Sequence, residues 1–343
     1  MDSSVAAALL KNQGYTVIGL TMCFNLAETQ SVKPSCCGLT GISDARRVCH
    51  KLGIRHYLLN LNKDFYQQVI VNFYEEYLSG RTPNPCVRCN QFIKFGILLK
   101  KALNLGADFL ATGHYAKIIK SSQGYFLKKA KDLKKDQSYF LYRLDQEQLR
   151  RVIFPLGNFT KPKVRVLAKK LGLNVADKQD SQEICFLPDG KYESLIRAKS
   201  KKNIRPGEIV DRQGNILGRH KGVAFYTIGQ RQGLGIARGY PLYVSGINLK
   251  QNRIIVGPRQ EVLKKEFLVK EVNFLKPIFK KKIEIKAKIR YNHKESKATV
   301  WVNKNKLKVI FQTPQFAITP GQSVVFYDQA KVLGGGIIEQ VLD

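Results

Sequence analysis

The sequence predicts an α/β protein: a doubly wound domain with a parallel sheet, followed by a smaller β-rich part that ends in a barrel. Three observations lead there. Apolar, β-branched runs alternate with helical segments from the first residues to Tyr115, as in doubly wound domains. From Arg205-Pro206-Gly207 onward helices fade, and short strands recur between turns at Gly214, Gly218, Gly229, Gly233, Gly235 and Gly239. Lys282 to Tyr291 then alternates strictly between one apolar and one mostly basic face, the period of a half-buried strand.

The elements follow in order. Asp2-Ser3-Ser4 offers a helix cap, Val5 to Lys11 reads as helix, and Gly14 sits where a terminating glycine belongs. Thr16 to Met22 reads as a buried strand. Ser43-Asp44 caps a helix that runs to Leu52 and stops at Gly53. His56 to Leu61 is the next strand and Phe65 to Leu78 the next helix. The loop Arg81-Thr82-Pro83-Asn84-Pro85-Cys86 precedes a helix over Gln91 to Leu103, with Phe92, Phe95, Leu99 and Leu103 on one face. Strand Asp108 to Thr112 ends in Gly113-His114. Ser121-Ser122-Gln123-Gly124 between Ile118-Ile119 and Tyr125-Phe126-Leu127 signals a hairpin. Thr160 with Pro162 opens another helix, closed by Gly172. Beyond Gly257-Pro258 the strands are those of a small all-β barrel.

The chain has 343 residues, enough for two or three domains. Lys plus Arg is 58 against 26 for Asp plus Glu, a formal charge of +32. Such a balance points to a polyanion or an anionic membrane face, or reflects lysine-rich composition alone. No apolar run approaches the ~20 residues of a spanning helix, so no membrane role is expected. No signal peptide is visible. Seven unevenly spaced cysteines do not resemble a secreted disulfide framework. The compartment is therefore read as reducing and cytoplasmic.

Cys86 and Cys89 form a Cys-x-x-Cys in a Pro-rich loop ahead of a helix, and Cys185 lies in Asp180-Ser181-Gln182-Glu183-Ile184-Cys185-Phe186. A helix N-terminus or a neighbouring cation lowers a thiol's pKa, and Cys89 has both, with Arg88 beside it. Cys49 and Cys23 suit small buried hydrophobes; Cys36-Cys37 are unassigned. Zinc needs four ligands, and only one Cys-x-x-Cys pair is present. An iron–sulfur cluster on Cys86, Cys89 and Cys185 stays open as an alternative that is not favoured. His114 ends a parallel strand, where doubly wound folds bind ligands, although an ordinary turn with a satisfied histidine is equally compatible. Lys135-Asp136-Gln137 follows lysines at 128, 129, 131 and 134. The run reads either as a solvated charge cluster or as phosphate contacts beside a glutamine that can pair with a base edge. Arg290-Tyr291 repeats a mix of cation and aromatic that suits stacking on RNA.

Seven segments then occur in order: Asp2-Ser3-Ser4-Val5-Ala6-Ala7, Gly80-Arg81-Thr82-Pro83-Asn84-Pro85-Cys86-x-x-Cys89-Asn90, Ala111-Thr112-Gly113-His114-Tyr115, Lys135-Asp136-Gln137-Ser138-Tyr139-Phe140-Leu141, the Cys185 segment, Phe225-Tyr226-Thr227-Ile228-Gly229-Gln230-Arg231 and Thr319-Pro320-Gly321-Gln322. Together they closely resemble the tRNA-specific 2-thiouridylases (MnmA type) over essentially the whole chain. The resemblance implies an N-type ATP pyrophosphatase domain at 1–190, a small central domain at 191–257 and a C-terminal β-barrel at 258–343 that contacts RNA. It implies 2-thiolation of the wobble uridine of tRNA: ATP, with Mg, adenylates the C2 oxygen, and a persulfide sulfur replaces it. By motif, Cys185 matches the persulfide carrier and Cys89 its nucleophilic partner, the two forming a transient disulfide. Asn84, Pro85 and Cys86 match the segment that touches the target base. His114, Lys135, Asp136, Gln137, Arg290, Tyr291 and Gln322 match tRNA-contacting positions. Met22 and Gly113 match nucleotide-contacting positions, and Asp2 and Ser3 match the end of the phosphate loop. The implied partners are tRNA and a persulfide donor, either a cysteine desulfurase or a sulfur-relay protein.

Two departures stand out. Many members carry Asp where this chain has Cys86. The family's Ser-Gly-Gly-x-Asp-Ser loop is represented only by Met1-Asp2-Ser3. A strand and two glycines are therefore expected upstream, beyond a late start codon or a truncation. An inactive tRNA-binding protein is the second alternative.

Overall fold

A computed structural model describes residues 1–24, 39–178, 184–187, 192–200, 204–277, 280–303 and 306–342. Cys36, Cys37 and residues 180–183 of the Cys185 segment lie outside them. The chain forms two compact units, one of Met1–Val69, Cys86–Lys191 and Ala330–Val332, the other of Ile70–Pro85, Tyr192–Gln329 and Leu333–Asp343. The second therefore takes up both the central and the barrel regions, together with the turn that precedes Cys86.

The first unit begins with α1 (Asp2–Asn12), β1 (Ile18–Cys23), α2 (Leu39–Lys51) and β2 (Arg55–Asn60). β1 and β2 pair in parallel, Ile18 opposite Arg55 and Cys23 opposite Asn60. β3 (Leu110–Ala111) and β6 (Val152–Ile153) form a second parallel pair. Between them lies the predicted hairpin, β4 (Ala116–Ser121) and β5 (Gly124–Lys129). Its two-residue turn closes through Gly124 at φ +109°, a backbone conformation that favours glycine. Val5, Ala6, Val48, Tyr115, Leu156, Val164 and Ala168 share a core that packs α1 on the helix Lys161–Lys170.

Two local expectations give way here. Asp2-Ser3-Ser4 lies inside α1 rather than ahead of it, and no side chain caps that helix; the Asp2 carboxylate has stronger partners elsewhere. The segment predicted as one α-helix over Gln91 to Leu103 runs from 85 to 104, with wider π turns over Cys89–Leu98. Wider turns advance the phase of the side chains. The buried set becomes Cys89, Ile93, Phe95, Leu98, Leu99 and Ala102, while Phe92 turns out to receive Arg88, whose guanidinium lies 4.8 Å from the ring centroid.

In the second unit, β7 (Gly207–Val210), β8 (Ile216–His220), β9 (Tyr243–Asn248) and β10 (Arg253–Gly257) make a sheet of order β8-β7-β10-β9. Two antiparallel hairpins are joined there by the parallel β7–β10 pair. The barrel consists of β11 (Leu263–Phe274), β12 (Lys282–Lys288), β13 (Ser296–Asn303), β14 (Lys306–Phe316), β15 (Ser323–Asp328) and β16 (Lys331–Val341). Their order is β11-β14-β13-β12-β15-β16, and β11 closes on β16. Ile285, Ala287, Val300, Val309, Phe311, Phe326 and Ile338 fill its interior. The basic strand ends at Lys288, so Arg290-Tyr291 stands beyond it.

Candidate functional site

At the carboxyl end of β3, Gly113 faces the start of α1. A Cβ built there would stand 2.6 Å from the Ser3 nitrogen and 2.7 Å from the Asp2 carbonyl carbon, so only glycine lets this backbone approach the helix N-terminus. Asp2, Ser3 and Gly113 are thus brought together at the end of a parallel strand and the head of a helix, where backbone N–H groups suit phosphate. The Asp2 carboxylate accepts hydrogen bonds from Lys161 Nζ at 2.7 and 2.9 Å and from the Tyr115 hydroxyl at 3.1 Å. Lys161 is only 7% exposed, and its ammonium lies 5.9 Å from the Tyr115 ring centroid. Sequence reading missed this lysine. It sits 159 residues from Asp2, in a segment that signals only a helix start. Met22 lies on β1, half-buried, opposite Leu59.

His114 follows as a buried group. Phe95 and Phe154 enclose its ring at centroid distances of 5.7 and 5.8 Å, and Nδ1 pairs with the Thr112 hydroxyl at 2.7 Å. Burial, helped by the Lys94 charge, holds its pKa well below the ordinary 6.5. The ring is neutral at physiological pH. The unfolded chain takes up the proton first as pH falls below about 6.5. Stability from His114 is therefore expected to be complete above that pH and to decline below it, as urea melts of wild type and His114→Phe between pH 7 and pH 5 will register.

The Lys135-Asp136-Gln137 segment is braced rather than loose. Asp136, 5% exposed, accepts from the Ala130 amide at 2.9 Å and from the Ser138 hydroxyl at 2.7 Å. Gln137 exchanges two bonds with Tyr115, its amide donating to the Tyr115 carbonyl at 2.8 Å and its Oε1 accepting from the Tyr115 amide at 3.0 Å. Of the base-pairing edge expected of Gln137, the oxygen is committed to the fold, leaving Nε2 as the donor.

Pro85 occupies the first helical position of Pro85–Arg88, where its missing N–H costs nothing. One turn separates exposed Cys86 from buried Cys89. Arg88, expected to act as a cation for Cys89, donates to the Gln68 carbonyl at 2.9 Å. Asn90 is 3% exposed and donates to the Phe140 carbonyl at 3.1 Å, tying the helix to the turn after Gln137. Cys185 is half-exposed on a short turn closed by the Leu187 amide on the Ile184 carbonyl at 2.8 Å. Phe186 anchors that turn edge-on to Phe65, which stacks on Phe24. Cys49 is buried, and desolvation pushes its thiol pKa up, as suits a packing residue.

In the second unit, Gln322 Nε2 donates to the carbonyls of Thr82 and Pro83 at 3.2 and 3.1 Å, so this side chain supports the backbone that carries Asn84 and Pro85. Arg290 Nη2 donates to the carbonyls of Ile228 and Ala317 at 3.1 and 2.9 Å, and to the Thr319 hydroxyl. Lys288 lies 5.4 Å from the Tyr291 ring centroid and Lys282 5.3 Å from that of Trp301, alternating cations with aromatic faces. Among the described residues no three His, Cys, Asp or Glu side chains are grouped to hold a metal ion, and no helix is long and apolar enough to cross a membrane.

Residues 1–189 match the family described as tRNA methyl transferase HUP domain, 197–258 the tRNA methyl transferase PRC-barrel domain, and 264–338 the aminomethyltransferase beta-barrel domain. The tRNA-specific 2-thiouridylase MnmA of Acetivibrio thermocellus is 50% identical over 99% of this chain and 96% of its own. The chain belongs to the tRNA-specific 2-thiouridylase family. Further 2-thiouridylases, from Caldanaerobacter subterraneus subsp. tengcongensis and Halothermothrix orenii, are each 51% identical over 99% of this chain and cover 95% and 96% of those proteins. The HUP, PRC-barrel and β-barrel matches fall in chain order, in line with the three-part architecture that the resemblance implied.

Proposed function

We propose that the protein is a tRNA-uridine 2-sulfurtransferase that spends ATP to exchange the C2 oxygen of the wobble uridine for sulfur. The observation that carries this reading is identity of about half over nearly the whole length of proteins named tRNA-specific 2-thiouridylase. A carbonyl oxygen is a poor leaving group. Attack of the uridine O2 on the α-phosphorus of ATP releases pyrophosphate and converts that oxygen into part of AMP. Asp2, Ser3, Met22 and Gly113 are assigned to the nucleotide with its Mg, and Lys161 supplies a cation beside Asp2.

Sulfur arrives as a persulfide on Cys185, delivered by a cysteine desulfurase or a sulfur-relay protein. Attack of the Cys89 thiolate on the inner sulfur forms a Cys89–Cys185 disulfide. The outer sulfur leaves with the electron pair of the broken S–S bond, adds to C2, and AMP departs. The sulfane sulfur is thereby reduced to the sulfide level while the two cysteines are oxidised, so an external thiol resets the pair. The work is assigned to the cytoplasm. Asn84, Pro85 and Cys86 are assigned to the target base, and His114, Lys135, Asp136, Gln137, Arg290, Tyr291 and Gln322 to tRNA contact or to the support of contacting segments.

Wobble-uridine mass spectrometry in cells lacking the gene is expected to show loss of 2-thiouridine and its return on complementation; unchanged 2-thiouridine in those cells overturns the reading. The +32 charge leads to a second expectation. Binding of tRNA should weaken with salt, with a log–log slope of about 0.7–0.9 per phosphate neutralised. Filter binding between 50 and 200 mM KCl measures it, and a flat response would disconnect the charge from RNA.

A further inference from the structure

The turn ahead of Cys86 is fastened by backbone and side-chain bonds from residues far away in the chain. The Thr82 amide donates to the Pro320 carbonyl at 2.9 Å. Gly321, at φ +92°, comes so close that an added Cβ would stand 2.8 Å from the Thr82 oxygen. Gln322 holds the next two carbonyls, as described. The remaining fastening is Arg81. Its Nε donates to Glu76 Oε2 at 2.8 Å, while Nη1 and Nη2 donate to the backbone carbonyls of Glu339 and Ile338 on β16, both at 3.2 Å. The two side chains of the ion pair are 18% and 23% exposed. Ile338 also bonds the turn itself, its carbonyl accepting from Gly321 and its amide donating to Gln322. Arg81, β16 and the turn 319–322 thus form one hydrogen-bonded ring around Thr82-Pro83.

We propose that Arg81 is a positioning residue for sulfur transfer: its fork fixes the Pro83-Asn84-Pro85 turn against the barrel. This rests on the sulfurtransferase reading. Only a planar guanidinium reaches one carboxylate and two adjacent carbonyls at once; a lysine can keep the charge beside Glu76 but not the fork. Arg81 spends its donors on protein atoms, so its loss should be felt in turnover rather than in tRNA affinity.

The test compares wild type, Arg81→Lys and Gln322→Leu as full chains, with tRNA transcript, ATP and a persulfide donor. Arg81→Lys is expected to lower kcat by about 10- to 100-fold, the scale of a misplacement near 1 Å, with tRNA Kd within about threefold. Gln322→Leu should lower kcat too, and the double variant should lose less than the product of the single losses, because both act through one turn. Hydrogen exchange at the Thr82 and Ile338 amides gives a readout independent of activity; faster exchange in Arg81→Lys is expected. Wild-type kcat in Arg81→Lys, a loss confined to tRNA affinity, or unchanged amide exchange each overturns the proposal. If wild type makes no 2-thiouridine, the sulfurtransferase reading fails, and amide exchange alone decides what Arg81 does.

Discussion

Replacing Cys185 or Cys89 by serine is expected to abolish 2-thiouridine formation while leaving tRNA affinity within about threefold. Serine keeps the size of the side chain, but a hydroxyl neither carries a sulfane sulfur nor forms a disulfide, and it is a far weaker nucleophile than a thiolate. The packing of both sites predicts tolerance. Cys185 is half-exposed on a turn that Phe186 anchors against Phe65. Cys89 is 9% exposed on a helix whose other buried residues remain in place. Cys49→Ser serves as the control and should retain activity, at a cost in stability from placing a hydroxyl in a buried site. Liquid chromatography with mass detection of digested tRNA reads the product, and full thiolation by Cys185→Ser defeats the assignment.

Lys161→Met is expected to be the most destabilising single change around Asp2 and Gly113, at about 2–4 kcal/mol. Removing one partner of a buried pair costs about 3–5 kcal/mol because the other charge is left uncompensated. The figure is set lower because the Asp2 side chain keeps 31% exposure. Pairing the change with Asp2→Asn removes the stranded carboxylate, so the double variant should be less destabilised than the two single losses summed. Urea denaturation of the four forms measures the cycle. Strict additivity would show that the 2.7 Å contact contributes nothing.

What the sequence made legible was local. Pro162 at a helix start, Gly124 after a two-residue turn and the period-2 strand from Lys282 each carry their conformational reason within a few residues. The cysteines assigned to sulfur transfer are singled out by motif, and their exposure follows from one helical turn and one short turn. Partners distant in sequence were not legible. Nothing near Gln322 announces that its amide will hold carbonyls some 240 residues earlier. Nothing near Arg290 announces three acceptors on other segments. Arg290 is read toward RNA from its pairing with Tyr291 and from the family resemblance, and Gln322 from the resemblance alone; neither signal carries the tertiary partners. Asp2 looked like a helix cap from its residue type, while its carboxylate is in fact engaged by Lys161. The phase of the Cys89–Leu98 turns escaped because a π turn differs from an α turn by one residue in hydrogen-bond span, and composition does not record that.

Barrel closure has a consequence for synthesis of the protein. β11 closes on β16, with Phe267 opposite Val341 and Phe274 opposite Gly334, so the earliest barrel strand waits unpaired on that side until the latest has left the ribosome. Pairings of such sequence separation form slowly and leave apolar edges open meanwhile. The same late strand supplies the Ile338 and Glu339 carbonyls that Arg81 grips. A nascent chain therefore carries its Cys-x-x-Cys long before the turn ahead of it can be locked, and a product stopped short of β16 would hold that helix start behind an unfastened turn.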